Sequence, residues 1–265
     1  MRLTSLLILL AFHSHHALAQ NNVYEAVAPI YVSAAELGDA SENEDWSGQF
    51  GAGLALFPQY VGADNHDVRP AFEFRASYKD WLFIENTQLS LSLVRSRFLR
   101  AGPSVRFNQG RRDYGRLSAP GALGNVDGGW EVGGFAATSL YKLFLSVEAY
   151  AGIGGGMKGA SAEFELGYTY VPHPDWRITP VFGMVWGSAV HQNQFFATET
   201  YRPESGIYET YAELLAEWRL SDRWLVKANT RYGGVVGDAG NSPLASEQGG
   251  SGKQIRSFLG LVWLF

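Results

Sequence analysis

Residues 256–265 read RSFLGLVWLF, and their side chains alternate between two faces. One face is apolar and ends in aromatic residues: Leu259, Leu261, Trp263 and Phe265. The other face becomes polar with distance from Phe265, through Arg256 and Gln254. A period of two residues is the signature of a β-strand. Chain ends are usually polar and frayed unless pairing holds them, so the pattern predicts that this last strand is paired.

Composition excludes several classes of protein. The chain of 265 residues has a formal net charge of −5, whereas nucleic-acid binding usually needs a basic face. It contains no cysteine, which rules out disulfides, zinc–thiolate sites and a cysteine nucleophile. Beyond the N-terminus, no stretch approaches the roughly 20 apolar residues that a membrane-spanning helix requires. We expect no nucleic-acid partner and no cofactor.

The first 19 residues predict a secretory signal peptide. Arg2 precedes an apolar run over residues 6–12, and Ala17-Leu18-Ala19 fits a cleavage site. A membrane anchor is the alternative, but the apolar run is short for one. Cleavage after Ala19 would also remove His13, His15 and His16, so these histidines do not indicate a metal site. Residues 20–44 are polar and acidic and predict a flexible periplasmic lead-in, followed by a single domain over residues 45–265.

From Asp45 onward the dominant period is two, with short turns alternating with long, glycine-rich links. Twelve strands are predicted, at 46–57, 68–79, 81–86, 88–95, 98–108, 129–140, 143–153, 161–171, 176–187, 207–220, 224–235 and 254–265. The pair 81–86 and 88–95 has an alternative, which is one longer strand with a β-bulge. Residues 207–220 are rich in helix formers, but their period and turn spacing favour a strand.

Two architectures accommodate such strands, a soluble sandwich and a membrane barrel. Tryptophans distinguish them, since a barrel places aromatic rings at the lipid interfaces whereas a sandwich core would favour strand middles. Seven of the eight tryptophans fall near predicted strand ends: Trp46, Trp81, Trp130, Trp176, Trp218, Trp224 and Trp263. Short turns at one end and long loops at the other are also typical of outer-membrane barrels. The sequence therefore predicts an all-β fold, a closed antiparallel up-and-down transmembrane β-barrel of about 12 strands, in the cell outer membrane.

Several segments resemble the MltA-interacting protein family (MipA/OmpV). They are FPQYVGADNHDVRPAFEFR at 57–75, LRAGPSVRFNQGRRD at 99–113, WEVGGF at 130–135, and the stretch 224–265 with its GDAGNSPL loop. Pro58, Tyr60 and Gly62 match a family motif, whereas Ala63 replaces its serine and residues 190–206 depart from the family pattern. The resemblance implies an outer-membrane barrel and, for the founding member, a scaffold that links a lytic transglycosylase to a murein synthase.

Few residues indicate catalysis or ligand binding. The Ser-His-Asn catalytic set of an outer-membrane phospholipase could be supplied by Ser188, His191 and Asn193. Three polar residues in one long loop are, however, weak grounds for a catalytic triad. His66 with Asp64 and Asp67 could bind a cation, although a solvated loop explains them more simply. His173 is interpreted as a turn residue. GIGGGMKG at 152–159 lacks the Lys-Ser/Thr ending of a phosphate loop, so we expect no catalytic, cofactor-binding or metal site.

Charges of both signs are predicted on the inner face of the barrel. The cations are Arg75, Lys79, Arg100, Arg106, Lys227 and Arg231, and the acids are Glu73, Glu148, Glu163, Glu165, Glu213 and Glu217. We expect them to pair and fill the interior, although twelve strands lie between filled barrels and open channels. The hypothesis is a non-catalytic scaffold that contacts outer-membrane lipid and murein enzymes, through turns near Asp80, His173 and Asp222 or through residues 20–44. A small diffusion channel and an outer-membrane lipid hydrolase are the alternatives.

Overall fold

A computed structural model describes residues 45–79, 81–96, 98–111, 125–246 and 250–265. The predicted signal peptide, the lead-in 20–44 and Asp80 lie outside the described residues. The strands are β1 Trp46–Pro58, β2 His66–Tyr78, β3 Leu82–Glu85, β4 Gln88–Leu91, β5 Val94–Arg95, β6 Leu99–Asn108, β7 Gly129–Leu140, β8 Leu143–Gly155, β9 Ala160–Tyr168, β10 Tyr170–His173, β11 Trp176–Gly187, β12 Gly206–Ser221, β13 Trp224–Val235 and β14 Lys253–Leu264. The helices within these ranges are α1 Ala189–Phe196, α2 Gly237–Gly240 and α3 Pro243–Ser246.

The strands close into a twelve-stranded antiparallel barrel, as the sequence predicted. Two of the barrel strands are interrupted, because β4 and β5 both pair with β6, and β9 and β10 both pair with β11. Closure comes from β14, which pairs with β1 from Gln49 opposite Leu264 to Leu56 opposite Ser257. Phe265 extends this pairing, since its N–H donates to the carbonyl of Gly48 at 3.0 Å. On its other side β14 pairs with β13 from Lys253 to Trp263, so the last strand is held along its whole length.

Residues 82–91 form a short hairpin, which settles the alternative of one bulged strand. Leu82 lies opposite Leu91, and Glu85 lies opposite Gln88. The tip contains Asn86, whose φ of 48° lies in the left-handed region that asparagine tolerates. With only four residues each, β3 and β4 are far shorter than β2, which has 13.

Tryptophans gather at the end of the barrel with the short turns, which we call the turn end; the opposite end is the loop end. Six of the eight lie there: Trp46, Trp81, Trp176, Trp218, Trp224 and Trp263. Trp176 stacks on Trp218 with ring centroids 5.4 Å apart. Their side chains face outward, as expected of a ring at a membrane interface. Among the described residues, no helix has the length and apolar character needed to cross a membrane.

Candidate functional site

The interior of the barrel is filled in layers, beginning with an apolar plug near the turn end. Its members are Phe83, Phe135, Ala137, Phe144 and Val181, all buried and pointing inward. The guanidinium of Arg100 lies 6.0 Å from the centre of the Phe83 ring. The plug occupies the space through which a molecule would otherwise leave the interior at the turn end.

A group of acids around Arg231 forms the middle of the interior. Arg231 Nε donates to Glu213 Oε2 at 2.9 Å, and its terminal nitrogens lie 3.4 Å from Glu163 and 3.7 Å from Glu165. The same guanidinium stacks on the Tyr211 ring, 3.7 Å from its centre. All of these groups are buried except Glu163, which is partly exposed. Buried charges need partners, because removing charge from water without compensation is costly.

Other ion pairs of the described residues join inward-facing side chains elsewhere in the barrel. They are Lys227–Glu73 at 2.8 Å, Arg75–Glu85 at 2.7 Å, Arg106–Glu131 at 2.6 Å, Arg177–Glu217 at 3.3 Å and Arg256–Glu209 at 3.4 Å. The predicted inward charges are thus confirmed, with one exception. Lys79 lies in the turn after β2, where it is half-exposed and pairs with Asp45 at 3.2 Å, because its φ of 47° ends the strand's alternation.

A small cavity of about 20 Å³, with room for about one water molecule, remains above the charged layer, on the side of β6, β8 and β9. Its polar lining consists of Arg106, Glu148, Tyr150, Ser161, Glu163 and Tyr208. Arg106 lies 3.9 Å from the centre of the Tyr150 ring. Gln88, at the start of β4, donates a hydrogen bond to Glu148 at 3.4 Å. The cavity thus presents one guanidinium and two carboxylates, together with three hydroxyl groups.

The loop end is covered by a cap that the sequence did not predict, built from α1, α2 and α3. Phe196, Val235, Ala239 and Ala245 pack together in its core. Loops from around the whole barrel converge on α1. Arg111 of the β6–β7 loop donates to the carbonyl of Phe195, Gln194 accepts from the N–H of Lys158 at 2.8 Å, and Ser242 of the β13–β14 loop donates to the carbonyl of Phe196 at 2.6 Å. The helix therefore lies across the mouth of the barrel.

His191 anchors the cap to the barrel wall. Its ring packs 5.1 Å from Phe195 and 5.8 Å from Tyr208, between centroids. Only 4% of His191 is exposed. Burial, with the nearby Arg106, lowers the pKa of the imidazole to about 4, while Glu131 opposes the shift. His191 is therefore neutral at physiological pH.

Ser188, His191 and Asn193 do not form a catalytic relay. The hydroxyl of Ser188 caps α1, accepting from the backbone N–H of His191 at 3.3 Å and of Ala160 at 2.9 Å. Asn193 donates to the carbonyls of Ala189 and Pro203. All three side chains have structural roles at the start of α1, and no hydrogen bond of the described residues joins the serine hydroxyl to the imidazole.

The other candidate residues have ordinary local contacts. Asp67 pairs with Arg69 at 2.5 Å, and His66 contacts the carbonyl of Asp64. In the described part of the chain, no group of three or more His, Cys, Asp or Glu residues could hold a metal ion. His173 was interpreted as a turn residue but is the last residue of β10, where it is exposed and lies 3.4 Å from Asp175 of the following turn. Within residues 152–159, Gly155 and Gly159 have positive φ values, as a tight turn requires.

The side chain of Tyr208 does not follow the in–out alternation of β12. Strict alternation from the outward-facing Leu214 and Trp218 would place it on the outer face of β12, but it lines the cavity. A bulge explains the change, since Glu209 lies opposite Val185 and Ile207 opposite Trp186, which makes Tyr208 the extra residue of β12 at this point. The sequence carries no clear signal for this bulge.

The chain is similar to several solved outer-membrane proteins and channels, each with a TM-score below 0.5. An outer-membrane channel from Pseudomonas putida F1 has 11% sequence identity and a TM-score of 0.45, with coverage of 90% of this chain and 100% of that one. The NanC porin has 7% identity and a TM-score of 0.43, with coverage of 83% and 99%. OmpT of Vibrio cholerae has 8% identity and a TM-score of 0.34, with coverage of 84% and 99%. No curated protein sequence matches the chain.

A family comparison agrees with the segments quoted from the sequence. The model of the family described as "MltA-interacting protein MipA" matches residues 50–265, which include every strand of the barrel except the first four residues of β1. The chain is therefore an outer-membrane β-barrel that belongs to the MipA family.

Proposed function

We propose that the barrel is a non-catalytic scaffold that holds murein-processing enzymes at the inner surface of the outer membrane. The family description names an interaction with MltA, a lytic transglycosylase, and a murein synthase is the second partner that we infer. The turn end would face the periplasm, following the rule that periplasmic turns are short and extracellular loops are long.

The filled interior is the observation that carries this proposal. In the described residues, the apolar plug, the ion pairs and the cap occupy the barrel from the turn end to the loop end. Such an interior suits a rigid platform and leaves binding to the outer surfaces. Activity as a lipid hydrolase receives no support, because Ser188 and His191 are both committed to the cap.

The turn end offers exposed groups for a periplasmic partner. Tyr141, in the β7–β8 turn, is 96% exposed and has a φ of 56°. A tyrosine in the left-handed region is uncommon, and exposed tyrosines are frequent anchors of protein interfaces. The exposed pair of His173 and Asp175 lies in another turn of the same end. We include both turns, Asp222 and the lead-in 20–44 in the proposed contact region.

The test is crosslinking and affinity capture in intact envelopes, scored for a lytic transglycosylase and a murein synthase. Three variants weaken the proposed region: Tyr141→Gly, the pair His173→Ala and Asp175→Ala, and deletion of residues 20–44. Glu204→Ala, at the loop end, is the matched control. We expect capture of both enzymes by the native protein and the control, with a loss of about tenfold when a Tyr anchor worth about 1–2 kcal/mol is removed. Failure of the native protein to capture either enzyme would refute the scaffold proposal, and equal capture by the control and all three variants would refute the proposed contact region.

A further inference from the structure

Three carboxyl groups face one cation in the middle of the barrel. The guanidinium of Arg231 meets Glu213, Glu163 and Glu165, whereas the other described ion pairs of the interior each join one cation to one acid. Glu148 of β8 also lies directly opposite Glu163 of β9, and like charges at opposite positions destabilise a sheet. If every acid here were ionised, three negative charges would face the single positive charge of Arg231.

The hydroxyl of Tyr211 shows that hydrogens are also too few in this layer. Its oxygen lies 2.5 Å from Glu163 Oε1 and 2.8 Å from Glu165 Oε1. A tyrosine hydroxyl carries one hydrogen, and an ionised carboxylate carries none. Tyr211 can therefore donate to one of the two carboxylates, and the other contact would bring two acceptors together without a hydrogen. A carboxyl group that keeps its proton supplies the missing hydrogen.

A second side chain of the same layer indicates the same deficit. Asn229 is 2% exposed and donates from Nδ2 to Glu213 Oε1 at 2.8 Å. Its Oδ1 is buried and has no hydrogen-bond partner among the described residues, although buried oxygens normally accept a hydrogen bond. The layer around Arg231 therefore has more acceptors than hydrogens to satisfy them.

The sheet is shaped to bring Tyr211 to Glu165. Gly183 of β11 lies opposite Tyr211 of β12 on one side and opposite Glu165 of β9 on the other. A Cβ at Gly183 would lie 2.1 Å from Cζ of Tyr211 and 2.3 Å from its hydroxyl oxygen. The tyrosine ring therefore crosses β11 over Gly183, where any side chain would exclude it. The contact between the hydroxyl and the carboxyl group thus joins β12 to β9 across β11.

Burial decides which carboxyl group holds the proton. Glu163 is partly exposed and lines the small cavity, where a water molecule can solvate its charge. Glu165 is 5% exposed and lies farther from the guanidinium than Glu163 does, so its ionised form is the more costly one. The acid form of Glu165 donates to Tyr211, which in turn donates to Glu163. Ser146 donates to the remaining oxygen of Glu165 at 3.3 Å.

We propose that Glu165 binds one proton at neutral pH and that this proton is a structural part of the barrel, joining β9 to β12 through Tyr211. The charged groups that face it are Glu163 on its own strand, Glu148 on β8, Glu213 on β12 and Arg231 on β13, whereas β11 presents the uncharged Val181 and Gly183. In alkaline medium, loss of the proton leaves three carboxylates against one guanidinium and weakens the contact of β9 with β12. This inference is independent of the scaffold function.

Infrared spectroscopy of the full mature barrel in lipid vesicles detects this proton directly. At neutral pH the native protein should show the C=O stretch of a protonated carboxyl group. Glu165→Gln should remove that band, whereas Glu217→Gln, whose carboxylate pairs with Arg177, should keep it. Absence of the band from the native spectrum, or its survival in Glu165→Gln, would overturn the proposal.

Unfolding in urea gives a second measurement. The unfolded chain releases this proton at neutral pH, as glutamic acid in water does, whereas the folded barrel keeps it, so stability falls as pH rises. From about pH 5 to about pH 7, the unfolding constant of the native protein should rise up to about tenfold per pH unit relative to that of Glu165→Gln. Glutamine keeps the shape and the hydrogen of the acid form, so the variant should fold, which the gel mobility shift of heated and unheated samples checks.

Equal pH dependence of the native protein and Glu165→Gln would contradict the proposal. A native stability that depends on sodium at constant ionic strength would contradict it too, because a bound cation would then balance the charge in place of a proton.

Discussion

Lys227 Nζ donates to both carboxylate oxygens of Glu73, at 3.0 and 2.8 Å, although β14 and β1 separate the two strands in the barrel wall. The two residues are 154 positions apart in sequence. Both are buried, with Lys227 0% exposed. Gln49 adds a third hydrogen bond to Glu73 at 3.1 Å. The pair is thus a tie across the interior, and its removal has consequences for stability.

Lys227→Met should destabilise the barrel by about 3–5 kcal/mol, because it leaves the carboxylate of Glu73 buried without its cation. The double variant Lys227→Met with Glu73→Met should recover much of this loss, since no uncompensated charge remains. The free energy of unfolding in urea, measured in lipid vesicles, checks both values. Lys79→Met is the control, because its pair with Asp45 is exposed to water, which screens the attraction, and should contribute little to stability. Strict additivity of the two buried substitutions would contradict this account.

Acid should loosen the cap through His191. Burial lowers its pKa in the folded protein to about 4, against an ordinary value near 6.5. Between these values the opened state binds the proton and the closed state does not, so stability of the cap falls as pH falls. The loss is about 1.4 kcal/mol per pH unit. Amide hydrogen exchange of α1 at about pH 7 and pH 5 measures it.

His191→Gln should remove this pH dependence, whereas His173→Gln, in an exposed turn, should leave it unchanged. A pH dependence that survives in the His191 variant would assign the effect to another group.

Gly102 lies where β4 gives way to β5, and the backbone passes close to it. A Cβ at Gly102 would lie 1.7 Å from the carbonyl oxygen of Leu91. Gly102→Ala should therefore destabilise the barrel by about 1–3 kcal/mol, the usual cost of overpacking. Gly206→Ala is the matched control, because nothing in the described part of the chain lies within 4 Å of the position that its Cβ would take. Urea unfolding of the two variants compares them, and equal stability would show that β4 and β5 can separate at no cost.

The filled interior predicts little ion conduction. In planar lipid bilayers, the mature barrel should give no stable open-channel steps at neutral pH, because the apolar plug and the cap both obstruct the path. Phe144→Ala alone should not open it, since the cap remains in place. Stable ohmic steps from the native protein would favour the diffusion-channel alternative.

The signal peptide remains a prediction that a mass measurement can check. Protein purified from outer membranes should begin at Gln20, after cleavage behind Ala19. Its intact mass and N-terminal sequence should agree on this residue. A chain that keeps Arg2 and the following apolar run would instead be an anchored precursor.

Most of the barrel could be predicted from the alternation of side chains. Residues that face lipid are apolar and residues that face the interior are often charged, so neighbouring residues along a strand differ in polarity. Glu213, Lys227 and Arg231 all face inward as predicted. The predicted pair of strands at 81–86 and 88–95, for which one bulged strand was the alternative, corresponds to the hairpin of β3 and β4. The cap could not be predicted in this way, because α1 is stabilised by contacts with loops that are distant in sequence, such as Ser242 with Phe196.

The apolar plug was missed for a related reason. Phe135 and Phe144 lie on the inner face of strands whose pattern predicted a polar interior. Sequence alternation assigns a side chain to a face, but it does not tell whether that face meets water, charge or other rings. Only the closed sheet brings Phe83, Phe144 and Val181 together.

The pairing of β1 with β14 also constrains the order in which the parts of the barrel can fold. Residues 49–56 must wait for residues 257–264, which come far later in the chain, before β1 gains its second neighbour. Contacts this far apart in the chain form late, after a large loss of chain entropy. The sheet can therefore seal only after both of these distant segments have been synthesised, so closure of the barrel is a late step of folding.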